Sequence, residues 1–326
     1  MIPQVSVITP ARNVAPWIQT AIRSVVAQTL AAIEYVIVDD SSTDGTYDAA
    51  RSVADSRLVV LKISASSSAA ARNAGVRASS APYVAFLDGD DLWMPEKLER
   101  QVAVLNEHPE IDLTFSWSRI IDESGFSTSH LQRAAPGVTG FEDVLTRNVI
   151  GNGSSVVLRR SALERAGPFD ETLRAASDFD MWLRVAALRP ENCWCLPEPL
   201  TLYRRRPGQA TNNWRLSQAE TEKVMEKLRA LPLCCSASMH SKAEATNHQF
   251  YAFAAYESNE CRMALQLLAR ALRFSPGFVL GNSASWSLAA AICAKAFLPS
   301  WAFELVRALA RRILMARDER ASVFFA

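Results

Sequence analysis

The sequence predicts an α/β fold: a doubly wound, mostly parallel mixed sheet followed by an all-helical C-terminal domain. Three observations predict it. Short β-rich runs alternate with helical patterns through about residue 125, the order expected of βαβ units. The runs are nearly all apolar, as strands buried on both faces are. After about residue 212 the strand signals stop.

The elements follow in order. A strand is expected at 5–9, with helical spacing from 14 to 27. A second strand at 35–39 leads to a helix near 43–54, and a third at 58–61 to one near 69–78. A fourth at 83–87 precedes a helix near 95–106, whose first turn suits Pro95. Further strands are expected at 113–121, 154–158 and 200–204, with a helix at 177–188 between the last two. Beyond a linker near Pro207-Gly208, Ala-, Leu- and Arg-rich sequence reads as four or five helices. The expected domains are therefore 1–212 and 213–326.

Composition narrows the class. Of 326 residues, 49% are hydrophobic and 21% charged, which excludes a disordered chain, a fibre or a small disulfide scaffold. With 35 basic and 34 acidic residues, nothing draws the chain as a whole to nucleic acid or an anionic membrane. The six cysteines form no CxxC pair and no zinc-spaced cluster, so they read as reduced thiols in a cytoplasmic protein. The first residues lack a signal peptide's basic and apolar regions and run straight into a strand. The longest uncharged run, 274–294, is broken by Pro276, Gly277 and Gly281 and does not read as a spanning helix. Residues 301–317 set Trp301, Phe303 and Leu305 among Arg307, Arg311 and Arg312. That pattern is open to three readings: an ordinary core-facing helix, a peripheral contact on the inner face of the plasma membrane, or a homodimer contact.

In open α/β sheets ligands bind at the carboxyl ends of strands. Here those ends read Thr9-Pro10-Ala11-Arg12-Asn13, Asp39-Asp40-Ser41-Ser42 and Asp88-Gly89-Asp90-Asp91. No GxGxxG or GxxxxGK[ST] accompanies them, which argues against a dinucleotide dehydrogenase or a P-loop phosphotransferase. Carboxylates gathered without a phosphate loop would repel a diphosphate unless a cation lay between. Gly89 lets the backbone turn so that Asp88 and Asp90 aim at one point, and such hard oxygens suit Mg²⁺ or Mn²⁺. The plainer alternative is a polar turn capping the next helix. Asp40 likewise either opens a capping turn or accepts hydrogen bonds from a base imide or a ribose hydroxyl. Arg72 could donate to base or phosphate.

The motifs VSVITPARN, VIVDDSSTDGT, AARNAG and FLDGDDLW stand in that order, followed by NGSSVVLRRSALERAGPFDE, SDFDMWLRVA and LYRRRPG. Over about residues 3–208 the chain resembles the family 2 glycosyltransferases of the GT-A fold. The resemblance implies inverting transfer of a sugar from a nucleotide-diphosphate donor to an acceptor hydroxyl, with a divalent metal. A UDP-sugar is favoured, GDP- and dTDP-sugars being used in the family too. It points to bacterial polysaccharide or lipopolysaccharide assembly and to a glycan or lipid-linked glycan acceptor. Position by position it implies Pro10 and Asn13 in the first donor loop, Asp40 on the base, and Arg72 near base and diphosphate. Asp90 is then the direct metal ligand, with Asp88 on the metal or the ribose. Asp178 becomes the general base, in the pattern completed by Trp182 and Arg184.

On side-chain chemistry alone Asp178 reads first as a helix-dipole partner behind an N-cap Ser177, with Asp180 in a capping box and Trp182 in the core. Two positions depart from the family pattern: Arg12 stands where an aromatic residue is common, and Arg206 where a histidine is common. An arginine is always protonated and cannot bind metal. It can clamp a diphosphate bidentately, so Arg206 is read as donor-binding, with weaker dependence on metal. Two rival functions remain: a metal-dependent nucleotidyltransferase, whose glycine- and lysine-rich loop is missing, and a non-catalytic nucleotide-sugar-binding module.

Overall fold

The computed structural model describes residues 2–65, 67–209, 212–230 and 236–297. They fall into two compact units, one made of residues up to 144 together with 148–209, the other of 145–147 and the described residues from 212 onward.

The first unit opens with β1 (Val5–Ala11), α1 (Ala15–Val26), β2 (Ile33–Asp40), α2 (Thr46–Arg51), β3 (Leu58–Ile63), α3 (Ser68–Arg77) and β4 (Tyr83–Phe86). It continues through β5 (Leu92–Trp93), α4 (Lys97–Glu107), β6 (Leu113–Ile121), β7 (Ser127–Gln132), β8 (Gly137–Thr139) and the start of α5 (Phe141–Arg147), whose last three residues are counted with the other unit. After these come β9 (Val156–Arg159), α6 (Arg160–Ala166), α7 (Ser177–Ala186) and β10 (Cys193–Arg204). The ten strands form one sheet, ordered β3-β2-β1-β4-β9-β6-β10-β5, with β7 on β6 and β8 on β10. β1 to β4 pair in parallel. β9 enters antiparallel between β4 and β6, and β10 again runs parallel to β6. The mixed, mostly parallel sheet expected from the sequence is thus present.

The apolar pattern explains how the helices seat. α1 buries Ile18, Ala21, Ile22 and Val25, one helical face, against Val5, Val7, Tyr35 and Ile37 of the sheet. Each fully buried aliphatic chain of this kind contributes about 1.5–3 kcal/mol. α3 works with small residues instead, burying Ala69, Ala70, Ala71 and Gly75. A Cβ on Gly75 would overlap Cγ2 of Ile8, so the glycine is what lets α3 lie close on β1.

Several elements differ from the sequence expectation. α2 is shorter, because Gly45 sits in the left-handed region at φ +86° and Asp44 is engaged in the preceding turn. One Asp44 oxygen accepts from Thr46 and the other from the Ala15 N–H. Pro95 precedes α4, whose N-cap is Glu96, rather than lying in its first turn. β5, β7, β8, α5 and α6 had no anticipated counterparts.

The second unit, among the described residues, holds α8 (Trp214–Ala230), α9 (Ala237–Glu257), α10 (Cys261–Phe274), α11 (Pro276–Gly281) and α12 (Ser283–Phe297). Its core joins Tyr251, Ala252 and Ala255 to Ala264, Leu267, Leu288 and Ile292. No helix of the described residues is long and apolar enough to cross a membrane. The amphipathic pattern at 301–317 lies outside the described residues.

Candidate active site

The loops after β1 and β2 are tied together by their own side chains. Asn13, in the left-handed region at φ +52°, accepts from the Thr43 N–H at 2.9 Å and donates its N–H to Ser42 Oγ at 3.0 Å. Pro10 lies inside β1 opposite Val38, not in the loop. Arg12 is exposed. Asp40 is buried, and its two oxygens accept from the backbone N–H groups of Ala65 and Ser67 at 2.9 and 2.6 Å. It thereby holds the turn that leads into α3, where Ser67 is the N-cap.

The segment after β4 is the most crosslinked. The Asp88 N–H donates to Ser154 Oγ at 3.0 Å, and that hydroxyl donates to Asp91 Oδ2 at 2.6 Å. The Arg204 N–H donates to Asp91 Oδ1 at 2.8 Å. Burial, and then the charges of Asp90 and Asp88, push the Asp91 carboxyl well above the usual range despite these bonds. Asp91 is a structural pin. Gly89 is required here for want of room, since a Cβ would come within 2.9 Å of Val14 Cγ2.

Asp88 and Asp90 each face an arginine. Arg72 Nη2 donates to Asp88 Oδ1 at 2.8 Å. Arg206 Nε donates to Asp90 Oδ2 at 2.7 Å, and Gln209 Nε2 reaches the same oxygen at 3.3 Å. The Asp90 carbonyl accepts from Arg204 Nε at 2.7 Å. Among the described residues no three His, Cys, Asp or Glu side chains stand close enough to share an ion. The oxygens suit Mn²⁺ or Mg²⁺ chemically, but a guanidinium already on each carboxylate does not fit a resident divalent cation.

Asp178 opens α7, where Ala176 is the N-cap and Ser177 is already helical. The expected Ser177 cap is thus displaced by one residue. Asp178 Oδ1 accepts the Phe179 N–H at 2.8 Å. Burial raises its pKa; Arg72 and the Phe179 N–H oppose the rise, and Asp88 adds to it. A Cβ on Gly153 would lie 3.4 Å from Arg72 Nη2 and 4.0 Å from Asp178 Oδ2. α3, the end of β4 and α7 therefore bring Arg72, Asp88 and Asp178 together. Asp180 instead accepts from Arg184 at 2.7 and 3.0 Å. Trp182 is buried beside Phe86 and Phe169, its ring 6.1 Å from each, as the core reading expects.

Sequence reasoning missed Ser154, Arg204 and Gln209. Ser154 stands in the NGSSVVLRR motif, but it reaches Asp88 across 66 positions, and nothing in the motif names that partner. Arg204 is one of three successive arginines, and only the end of β10 distinguishes the one that turns inward.

The family model for glycosyl transferase family 2 matches residues 6–167. A putative teichuronic acid biosynthesis glycosyltransferase, TuaG of Bacillus subtilis, is 33% identical over 186 residues, 56% of this chain and 72% of the relative. The UDP-Glc:α-D-GlcNAc-diphosphoundecaprenol β-1,3-glucosyltransferase WfaP of Escherichia coli is 30% identical over 183 residues, 56% of this chain and 69% of that one. Among solved structures, S. aureus TarS 1-349 in complex with UDP-GlcNAc has a TM-score of 0.65 at 18% identity, covering 83% of this chain and 81% of its own. The mannosyltransferase PcManGT from Pyrobaculum calidifontis, in complex with GDP-Man and Mn²⁺, has a TM-score of 0.59 at 22% identity, with 95% and 87% covered. At such identities the structural likeness speaks to the fold alone.

Proposed function

The chain belongs to glycosyl transferase family 2, and from that premise we propose that it moves a sugar, with inversion, from a UDP-sugar to an acceptor hydroxyl. The setting is bacterial polysaccharide or lipopolysaccharide assembly on the cytoplasmic side, with a glycan or lipid-linked glycan as acceptor. The names of TuaG and WfaP support that setting. Residues 1–212 form the transferase domain in this reading, and 213–326 the helical one.

One observation carries the proposal: Arg72, Asp88 and Asp178 meet at the carboxyl edge of the sheet, with Asp178 the desolvated carboxylate among them. A single displacement needs a base beside the acceptor and positive charge beside the leaving diphosphate. Asp178 takes the acceptor's proton as its oxygen forms the new bond to the anomeric carbon. The bond from that carbon to the diphosphate oxygen breaks on the opposite face. Arg72 steadies Asp88, and its charge opposes the rise that burial gives the pKa of the base. Pro10, Asn13 and Asp40 shape the nucleotide side of the site, and Asp90 with Arg206 the diphosphate side. A divalent cation, Mn²⁺ or Mg²⁺, would meet Asp88 and Asp90 there; because both are ion-paired, no step above depends on it.

The test is release of nucleoside diphosphate from UDP-, GDP- and dTDP-sugars in the presence of acceptor glycans. Asp178→Asn should lower transfer by about 10²–10⁴-fold and leave donor binding unchanged. Wild-type transfer by Asp178→Asn would remove the base assignment, and pyrophosphate release from a nucleoside triphosphate would replace the reaction class.

A further inference from the structure

Carboxylates at the strand ends would repel a diphosphate unless a cation lay between. The folded chain supplies that cation itself. Asp88 is paired with Arg72, Asp90 with Arg206, and Asp91 accepts from the Arg204 backbone. Two guanidiniums thus pair with two carboxylates, and the third carboxylate is held by a backbone N–H.

The Arg206 guanidinium is held on two sides. Its Nε sits on Asp90 at 2.7 Å, and its guanidinium lies over the Trp17 ring, 4.6 Å from the centroid. Gln209 braces the same turn: its Oε1 accepts the Arg206 N–H at 3.2 Å, and its Nε2 donates to the Arg204 carbonyl at 2.7 Å. The pair is well desolvated, with side-chain exposures of 15% for Arg206 and 10% for Asp90. Electrostatic attraction is stronger where water is excluded, and removing one partner of such a pair leaves an uncompensated charge. A divalent ion seated on Asp90 would have to displace the guanidinium first. A diphosphate need not take the carboxylate from Nε: a guanidinium presents a planar fork that matches phosphate oxygens, and the Arg206 Nη1 reaches the Pro207 carbonyl only at 3.4 Å. A cation fixed beforehand also costs less ordering on binding.

We propose that Arg206, anchored by Asp90 and stacked on Trp17, receives the donor's diphosphate in place of a metal ion, so that this chain binds nucleoside diphosphates without a divalent cation. The inference rests on the nucleotide-diphosphate reading above. It assigns Arg206 contact with the donor, and Asp90, Trp17 and Gln209 the task of positioning it.

Calorimetric titration of UDP, GDP and dTDP into the full chain, once in EDTA and once in Mn²⁺, tests it. The nucleotide that binds in Mn²⁺ should bind in EDTA within about tenfold. Arg206→Ala should weaken binding in EDTA by about ten- to a hundredfold and leave the affinity for the phosphate-free nucleoside unchanged. Arg206→His should make binding depend on Mn²⁺. Binding in Mn²⁺ that vanishes in EDTA overturns the inference on the wild type alone, whatever the variants do, and leaves the donor reading standing. So does undiminished metal-free binding by Arg206→Ala. Binding in neither buffer removes the donor reading and this inference together.

Discussion

Asp91, Asp88 and Asp178 do different work because their surroundings differ. Asp91 is buried and pushed well above the usual range, so it serves as a pin between β4 and β10. Asp88 is one-third exposed and paired with Arg72. Asp178 is desolvated, and its raised pKa makes it a better proton acceptor once ionised. The direction of the pH dependence follows. Below its pKa Asp178 is protonated and cannot act as the proposed base. The profile of kcat/KM should therefore have an acid limb set above the ordinary carboxylate value of about 4. Because the Arg72 charge opposes the effect of burial, Arg72→Met should move that limb to higher pH. A limb that stays in place would separate Arg72 from the base. At this scale the sequence was informative where a motif marked the residue and silent where it did not. Asp88, Asp90 and Asp178 stood in motifs as charged residues; Ser154 stood in one as an ordinary polar residue whose partner Asp88 is distant in the chain, and Gln209 stands just past the last motif.

Elements were legible in proportion to how local their causes are. The helical face of α1 and the apolar runs of β1, β2 and β4 are written in consecutive residues. β5 is two residues long and exists because β10 pairs with it. β7 is mostly polar and half-exposed, and it pairs with β6 across a turn. Neither has a period to read. The α3–β1 contact shows how one residue sets the spacing of two elements. Gly75→Ala must move Ile8 or lift α3, at a cost of about 1–3 kcal/mol. In a unit of this size that lowers the thermal midpoint by about 2–4 °C per kcal/mol, which differential scanning calorimetry would read. An unchanged midpoint would mean that α3 can slide on the sheet without loss.

At the scale of the whole molecule, stability depends on charges that join distant parts of the first unit. Asp112, at the start of β6, is buried and accepts from Arg165, Arg189 and Asn192. Burial alone would raise its pKa, but the Arg189 and Asn192 hydrogen bonds and the two arginine charges outweigh it and hold the carboxyl below its usual value. A lowered pKa adds stability that is present above the unfolded value and lost as pH falls through the folded one. Asp112→Ala should therefore be less stable than the wild type near neutral pH. The difference should shrink on acidification, as urea midpoints at about pH 7 and about pH 3 would show. A difference that does not change with pH would assign the loss to packing alone.

The sequence by itself determined the class of sheet, the two-part division into mixed and helical regions, and the strand ends on which the proposed chemistry stands. These follow from periodicity and from short motifs, which are properties of neighbouring residues. Only the tertiary structure decided which charges meet. Arg206 and Asp90 are 116 positions apart, and Arg72 and Asp88 come from a helix and a strand end. Whether a carboxylate at the sheet edge faces a metal ion or an arginine depends on where β10 ends relative to β4, and that is set by packing across the sheet, which no local pattern encodes.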